Sequence, residues 1–326
     1  MKVGIIGCGL IGYKRASALN KSQIIGCFDK NKKSSKKFSK KFNCLDFNSV
    51  NELIGNKNID AVFICTYHDS LFEYSSLCLE NKKHILVEKP GSKNLNQINK
   101  LIKLSKKYKN LKIHVGYNHR FHPSVILVRK IISKKNLGKV MYIRARYGHG
   151  ARLNYQKEWR MRKNISGGGE LIDQGAHIID LSRLFLGKLY LKKSLLKNFF
   201  WKSNVDDNAF LILGAKKNEK VAFLHCSCTE WKNKFSFEIF LEYGKLQING
   251  LGGSYGTETL TFYKMKKKMG LPSIKIWKFN SKDDSWKKEI NYFSRMIKEK
   301  KESESDIYNA YENMNIINKC YSQNKL

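Results

Sequence analysis

The feature that most constrains the fold is a glycine cluster placed directly after a short apolar run. Residues 3–6 (VGII) read as a strand, and Gly7-Cys8-Gly9-Leu10-Ile11-Gly12 follow at once with the spacing G-x-G-x-x-G, opening into the amphipathic segment YKRASALN. Glycine at the first position permits a tight turn, at the second close approach of a phosphate to the backbone, and at the third close packing of helix on strand. The helix N-terminus favours negative charge. The surroundings supply the context that such a motif needs. The apolar runs KVGIIG, QIIGCFD, DAVFICT, HILVEKP and KIHVGYN alternate with longer amphipathic segments, LNQINKLIKLSKKY among them, as far as about residue 120. Alternation of this kind predicts right-handed crossovers and a parallel sheet covered on both faces, a doubly wound Rossmann domain over 1–120 in an α/β chain. Asp29 closes the second run, 17 residues past Gly12. A carboxylate there accepts ribose hydroxyls and opposes a 2′-phosphate, which favours NAD. Lys30, Lys32 and Lys33 are the counterweight that keeps NADP open.

Beyond residue 120 the pattern changes. One helix over 121–133, a strand over 139–149, a helix over 169–186 and several strands between 190 and 249 predict an α+β domain over 121–326, with a largely antiparallel open sheet and helices on one face. The stretch 250–273 reads as a loop or irregular hairpin. Two helices, 285–300 and 305–321, close the sequence, and the last is a candidate to pack back on the first domain.

A length of 326 residues favours two domains, and 42% hydrophobic residues suffice for real cores. No apolar run approaches the ~20 residues needed to span a bilayer. The opening MKVGIIGC imitates a signal peptide, but four glycines in twelve residues suit a strand and tight turn better. Eight scattered cysteines suggest a reduced, cytoplasmic protein. Cys226 and Cys228 are expected to point to one side of a strand and His225 to the other, so no metal site is expected. The formal charge of +35 is spread over nearly every predicted helix, which argues for solvated lysine faces and against a specific nucleic-acid surface.

The segment ELIDQGAHIIDL (170–181) is apolar in helical period, yet Asp173, His177 and Asp180 fall at i, i+4 and i+7 on one stripe. Glu88-Lys89-Pro90 follows a strand at the carboxyl end of the parallel sheet, where open α/β folds bind ligands, and Pro90 restricts how Lys89 leaves that strand. Together GCGLIG, DAVFICTYHDSLF (60–72), VEKP (87–90), VGYNHRFHPSV (115–125) and SGGGELIDQGAHIIDLSRLFLG (166–187) resemble the Gfo/Idh/MocA family of sugar and polyol oxidoreductases along essentially the whole chain. Tyr67 departs from the proline common after the threonine in that family.

The resemblance implies hydride transfer between a nicotinamide and a secondary alcohol or ketone. It assigns Lys89, Asp173 and His177 to the chemistry: His177 as acid/base, Lys89 beside a developing alkoxide, Asp173 as orienter. Cofactor contacts are expected from Gly7, Gly9, Leu10, Ile11, Gly12, Asp29, Thr66, His68, Glu88, Lys89 and Asn118. Substrate contacts are expected from Lys89, Asn118, His119, Arg152, Trp159, Arg160, Asp173 and His177, with Asn118 and His119 at the domain junction and Asp180 structural. Arg144, Arg146, Arg152, Arg160 and Arg162 cluster in a chain otherwise rich in lysine, which points to an anionic sugar, a nucleotide sugar of surface-polysaccharide synthesis first among them. Homodimer or homotetramer formation is expected through a bare sheet face carrying Phe235, Phe237, Ile239, Leu241, Leu246 and Ile248. A dinucleotide sensor and an NAD-dependent glycoside hydrolase are the competing functions, the first opposed by the intact Lys89, Asp173 and His177.

Overall fold

Short aliphatic runs bounded by glycine or polar turns build two sheets, and the computed structural model describes residues 1–216, 219–280 and 282–324. The chain divides into two compact units. The first holds Met1–Tyr117, Asn164–Gly167 and Trp286–Met314; the second holds Asn118–Lys163, Gly168–Ser285 and Asn315–Leu326.

In the first unit six strands, β1 (Val3–Ile6), β2 (Ile24–Phe28), β3 (Leu45–Asp46), β4 (Ala61–Ile64), β5 (His84–Glu88) and β6 (Ile113–Gly116), pair in parallel in the order 3-2-1-4-5-6. Strands β1 and β4 are buried at every position, which is why VGII and AVFI show no alternation. The connecting helices are α1 (Leu10–Ser17), α2 (Lys32–Phe42), α3 (Val50–Gly55), α4 (His68–Glu80) and α5 (Leu95–Ser105). Helix α2 starts where the Asn31 side chain accepts the N–H groups of Lys33 and Ser34 and stops at Asn43, φ +52°. The strand order reverses beside β1, so the β1–α1 turn lies at the switch point where such sheets bind nucleotides.

The second unit opens with α6 (Pro123–Ser133), whose proline occupies the first turn. Its sheet runs β14-β13-β12-β11-β7-β10-β9-β8, from β7 (Val140–Gly148), β8 (Tyr190–Lys197), β9 (Asn208–Gly214), β10 (Val221–Ser227), β11 (Lys234–Leu241), β12 (Gly244–Asn249), β13 (Glu258–Lys264) and β14 (Ser273–Phe279). Among the described residues of this sheet only the β7–β10 pair is parallel. Helix α8 (Ala176–Leu186), preceded in the chain by the single turn α7 (Lys163–Ser166), most of which belongs to the first unit, packs on β7 and β10, while α6 packs on β12 and β13. The stretch 250–273, expected as a loop or irregular hairpin, leads into a regular one: β13 and β14 pair antiparallel and extend the sheet, their regularity hidden in the sequence by the glycines before them and the lysines within them.

The bare sheet face is a second correction. Phe235, Phe237, Ile239, Leu241, Leu246 and Ile248 are no more than 3% exposed and form the core under the helices. Strand parity leaves the opposite face to Tyr142, Leu195, Ile212, Phe223, Ile274 and Ile276, which are 39–58% exposed. The chain closes with α9 (Ser285–Lys298) and α10 (Ile307–Gln323). Ile290 and Phe293 of α9 join the apolar cluster of Val3, Ile5 and Phe63 in the first unit.

Candidate functional site

The glycine turn after β1 has the geometry that its sequence predicts. Gly7 sits at φ +97°, and a Cβ there would meet the Cys65 carbonyl oxygen at 2.6 Å. A Cβ on Gly12 would fall 2.0 Å from the Gly7 carbonyl oxygen, so helix α1 could not pack against the turn. At Gly9 the same test meets nothing within 4 Å, which leaves open space beside the backbone. No side chain caps α1, so the N–H groups of its first turn, from Leu10 and Ile11, have no side-chain acceptor and suit a phosphate. Asp29 is fixed from both sides, Oδ2 accepting the Cys8 N–H at 2.7 Å and Oδ1 the Asn31 N–H at 2.8 Å. Each oxygen keeps a lone pair for a ribose hydroxyl. Of the nearby lysines, Lys32 is engaged with Asp46 at 3.1 Å and with Asn48 Oδ1 at 3.0 Å. These residues fit a dinucleotide with unmodified ribose hydroxyls.

At the carboxyl end of β5, Glu88 is buried and tied to Arg15, with Arg15 Nη2 2.6 Å from Glu88 Oε1. The wholly buried Arg15 also meets Glu289 of α9 at 2.5 Å, and Glu289 in turn lies 3.1 Å from His114 Nε2. Burial raises the Glu88 carboxyl although Arg15 opposes the rise. Glu88 thus anchors the strand end from which half-buried Lys89 emerges through a cis bond to Pro90. Thr66 is half-buried before α4; His68, the first residue of α4, is buried with Nδ1 donating to the Ser166 carbonyl oxygen at 2.8 Å.

In the second unit the polar stripe rests on a π-helical turn, Leu171–Gly175, that runs into α8. This corrects the uniform α-helix expected over 169–186: the wider turn shifts Asp173 out of the α-helical register of His177. Asp173 Oδ2 accepts from Arg160 Nε at 2.8 Å. His177 stacks on His119, centroids 3.8 Å apart and planes 17° apart. His119 is itself held between Asn118 Oδ1 and the Tyr147 hydroxyl, 3.1 Å from each, and Asn118 donates to Ser285 Oγ at 3.1 Å. Asp180 pairs twice with the buried Arg120 at 2.6 Å, a structural role.

The arginines separate. Arg160 joins Asp173 and lies over the Trp159 ring at 4.7 Å. Arg152 is largely exposed and pairs with Glu158 at 2.6 Å, and Glu158 lies 3.8 Å from Arg160. Arg144 and Arg146, expected near the substrate, are a correction. They alternate with the buried Ile143, Ala145 and Tyr147, so they occupy the bare face, paired with Glu238 (2.6 Å) and Glu230 (3.3 Å), opposite the face that carries His177.

Residues 1–117 match the oxidoreductase family with NAD-binding Rossmann fold, and residues 125–247 match the Gfo/Idh/MocA C-terminal domain. The chain belongs to the Gfo/Idh/MocA family. It is 28% identical to glucose-6-phosphate 3-dehydrogenase of Bacillus subtilis over 55% of this chain and 52% of that protein. The chain spans less than two thirds of the length of such curated relatives, 49–64% for three of them. Among solved structures, levoglucosan dehydrogenase in complex with NADH and levoglucosan superposes with a TM-score of 0.87 at 19% identity, covering 99% of this chain and 97% of that one. UDP-N-acetylglucosamine 3-dehydrogenase GnnA from Acidithiobacillus ferrooxidans gives a TM-score of 0.81 at 20% identity, covering 98% and 96%.

This Gfo/Idh/MocA chain also carries buried polar residues that the sequence reading passed over. Tyr147 has its hydroxyl pushed well above the usual range, by burial first and Tyr255 second. Glu170 takes the Tyr155 hydroxyl at 3.3 Å and lies 3.4 Å from His149 Nε2. The parity of β7 was the available signal for Tyr147, which follows Ile143 and Ala145 on the core side. Asp206, wholly buried, accepts the N–H groups of Gly169 (3.0 Å) and Leu171 (2.7 Å) and the Tyr321 hydroxyl (2.9 Å), and so fixes the start of the π turn. Among the described residues no group of three or more His, Cys, Asp or Glu could hold a metal ion. No helix among them is long and apolar enough to cross a membrane.

Proposed function

We propose that the protein is an NAD-dependent dehydrogenase or reductase acting on a CH–OH group of an anionic sugar, a nucleotide sugar being the favoured class. The observation that carries this reading is the helix presenting His177 and Asp173 with ready-made partners: a stacked imidazole for one and a guanidinium for the other. When bound, the nicotinamide supplies or accepts the hydride. His177 exchanges the hydroxyl proton, a task suited to a group whose ordinary pKa is about 6.5. Lys89 offsets the negative charge developing on the substrate oxygen. Asp173, already held by Arg160, orients His177 or a neighbouring hydroxyl.

Asp29 supports NAD over NADP, and the engagement of Lys32 with Asp46 removes one of the cations available to a 2′-phosphate. Arg160 and Arg152 support an anionic substrate, as do the sugar phosphate in the name of the Bacillus subtilis relative and the nucleotide sugar in that of GnnA. Arg144 and Arg146 lend no support, being paired on the bare face. That face, with its six exposed apolar side chains, supports self-association of the chain as a dimer or tetramer, which light scattering measures directly. For the activity, the protein is incubated with NAD or NADH and a panel of free sugars, sugar phosphates and nucleotide sugars or their keto forms while the reduced nicotinamide is followed. Turnover confined to neutral free sugars would sink the anionic reading.

A further inference from the structure

Between the β7–β8 connection and the loops after β8 and β10, all within the second unit, lies an open cleft of about 480 Å³, within the size range of small-ligand sites. Phe200, Trp201 and Trp231 wall it, with Arg152, Lys202 and Asn154 at its margins and no carboxylate among the residues that line it. Phe200 stands at 82° to Trp231, centroids 4.8 Å apart, and at 85° to Trp201 at 5.1 Å. Two of these rings face solvent: Phe200 is 53% and Trp231 63% exposed.

The cleft is built and held, not merely left open. The buried carboxylate of Asp207 accepts the consecutive N–H groups of Phe199 (2.9 Å), Phe200 (2.8 Å) and Trp201 (3.2 Å). The Trp201 indole N–H is fixed on the Cys228 carbonyl oxygen at 3.0 Å. Lys202 and Trp231 hold left-handed backbones, φ +44° and +52°, which a non-glycine residue keeps only where its surroundings impose it. A Cβ on Gly150 would strike the Trp231 backbone at 2.8 Å, so this glycine admits the close approach. From the cleft a polar chain runs back to the candidate site: Arg152 to Glu158, Glu158 to Arg160, Arg160 to Asp173.

Rigid aromatic faces beside two exposed cations, Lys202 and an Arg152 whose Nε is held by Glu158, match a planar ring that carries an anion. We propose that this cleft is the subsite for the nucleoside diphosphate moiety of the substrate, the base stacking on the face of Trp231 with its edge against Phe200 and the diphosphate meeting Arg152 and Lys202. The inference rests on the nucleotide-sugar reading. Every base offers a π face, so stacking supplies affinity, and Asn154 offers amide hydrogen bonds to a base edge.

The test uses the full chain saturated with NADH, so that the cofactor site is filled. UDP, dTDP, GDP and inorganic pyrophosphate are titrated separately, with indole fluorescence and calorimetry as readouts. At least one nucleoside diphosphate is expected to bind much more tightly than pyrophosphate. Trp231→Ala and Phe200→Ala, both at exposed side chains, are expected to weaken it about tenfold or more while NADH binding stays unchanged. The KM for the matching nucleotide sugar should rise in parallel. Binding of no nucleoside diphosphate, with turnover of free sugars or sugar phosphates alone, would overturn both the inference and the substrate reading. Nucleotide-sugar turnover with KM unmoved in both variants would overturn the inference and leave the substrate reading standing. Variants that turn an oligomer into monomers without moving KM would assign the cleft to a second copy of the chain and overturn it equally.

Discussion

Arg160 donates from Nε to Asp173 Oδ2 at 2.8 Å, four residues before His177 on the same helical segment. The guanidinium therefore serves the carboxylate before any substrate arrives. Removing it takes that donor from Asp173 and, on the proposed reading, one of the cations from the substrate. Hydrogen bonds to charged groups are worth about 1.5–3 kcal/mol, so Arg160→Ala is expected to lower kcat/KM by about 10- to 100-fold. Arg160→Lys should recover only part, because a compact ammonium does not reproduce the planar fork. Steady-state kinetics on the substrate found in the panel decides it, and full activity in Arg160→Lys would refute the need for the fork.

The cofactor choice turns on Asp29. Its carboxylate is pinned by the Cys8 and Asn31 N–H groups and cannot swing away from a 2′-phosphate. NAD(H) is expected to bind more tightly than NADP(H), and Asp29→Ala should narrow or reverse that preference. Parallel titrations with NADH and NADPH measure it. A clear NADPH preference in the unmodified protein contradicts the assignment.

Beneath Lys89 lies a buried charge cluster whose stability role is separable from chemistry. Arg15 pairs with Glu88 and Glu289 at once. Arg15→Met would take that partner from both buried carboxylates and leave Glu289 to His114, and breaking buried pairs in this way costs about 3–5 kcal/mol. Urea unfolding should show a loss of that size. A loss no larger than that of an exposed Lys→Met control would show the cluster to be dispensable.

Much of this was legible in the sequence. The VGII–GCGLIG junction and the regular alternation to residue 120 specify the parallel sheet, because strands buried on both faces and a glycine turn leave strong local signals. The helix carrying Asp173 and His177 was legible from its apolar residues in helical period. The partners were not. Arg15 reaches Glu289 across 274 positions and resembles any basic residue on an amphipathic helix. Phe200 and Trp231 are 31 residues apart in the chain and meet only because β8, β9 and β10 pair in adjacent positions. An arginine count carries no side: Arg144 and Arg146 alternate with the buried Ile143, Ala145 and Tyr147, and only that parity sends them to the bare face. The π turn at Leu171–Gly175 has no composition signal at all, and depends on Asp206 taking the Gly169 and Leu171 N–H groups.

That same Asp206 gives a pH dependence. Burial lifts its carboxyl from about 3.8 to about 6, although the N–H donors and Tyr321 oppose the rise. A carboxyl raised in the folded state favours folding when protonated. Its contribution is fully present below about pH 4 and is lost as pH rises through about 6. Asp206→Asn removes it. The stability of the unmodified protein relative to Asp206→Asn should therefore decline between about pH 4 and 6 and level off above, by an amount on the order of 3 kcal/mol. Urea midpoints of both proteins across that range test it, and a difference independent of pH contradicts it.

The measurement closest to the central claim is single-turnover hydride transfer with the substrate identified from the panel, comparing His177→Ala and Lys89→Ala with the unmodified protein. Each variant should lose about 10²- to 10⁴-fold in the chemical step, the usual worth of a positioned acid/base or of a charge facing an oxyanion, His177→Ala while still binding NADH and Lys89→Ala with a much smaller loss in cofactor binding. Asp173→Ala should lose less. Combined with His177→Ala it should add little, since groups that act as a unit are not additive. Near-normal rates in both His177→Ala and Lys89→Ala would contradict the assignment and make the Asp173–His177 stripe a structural feature of its helix.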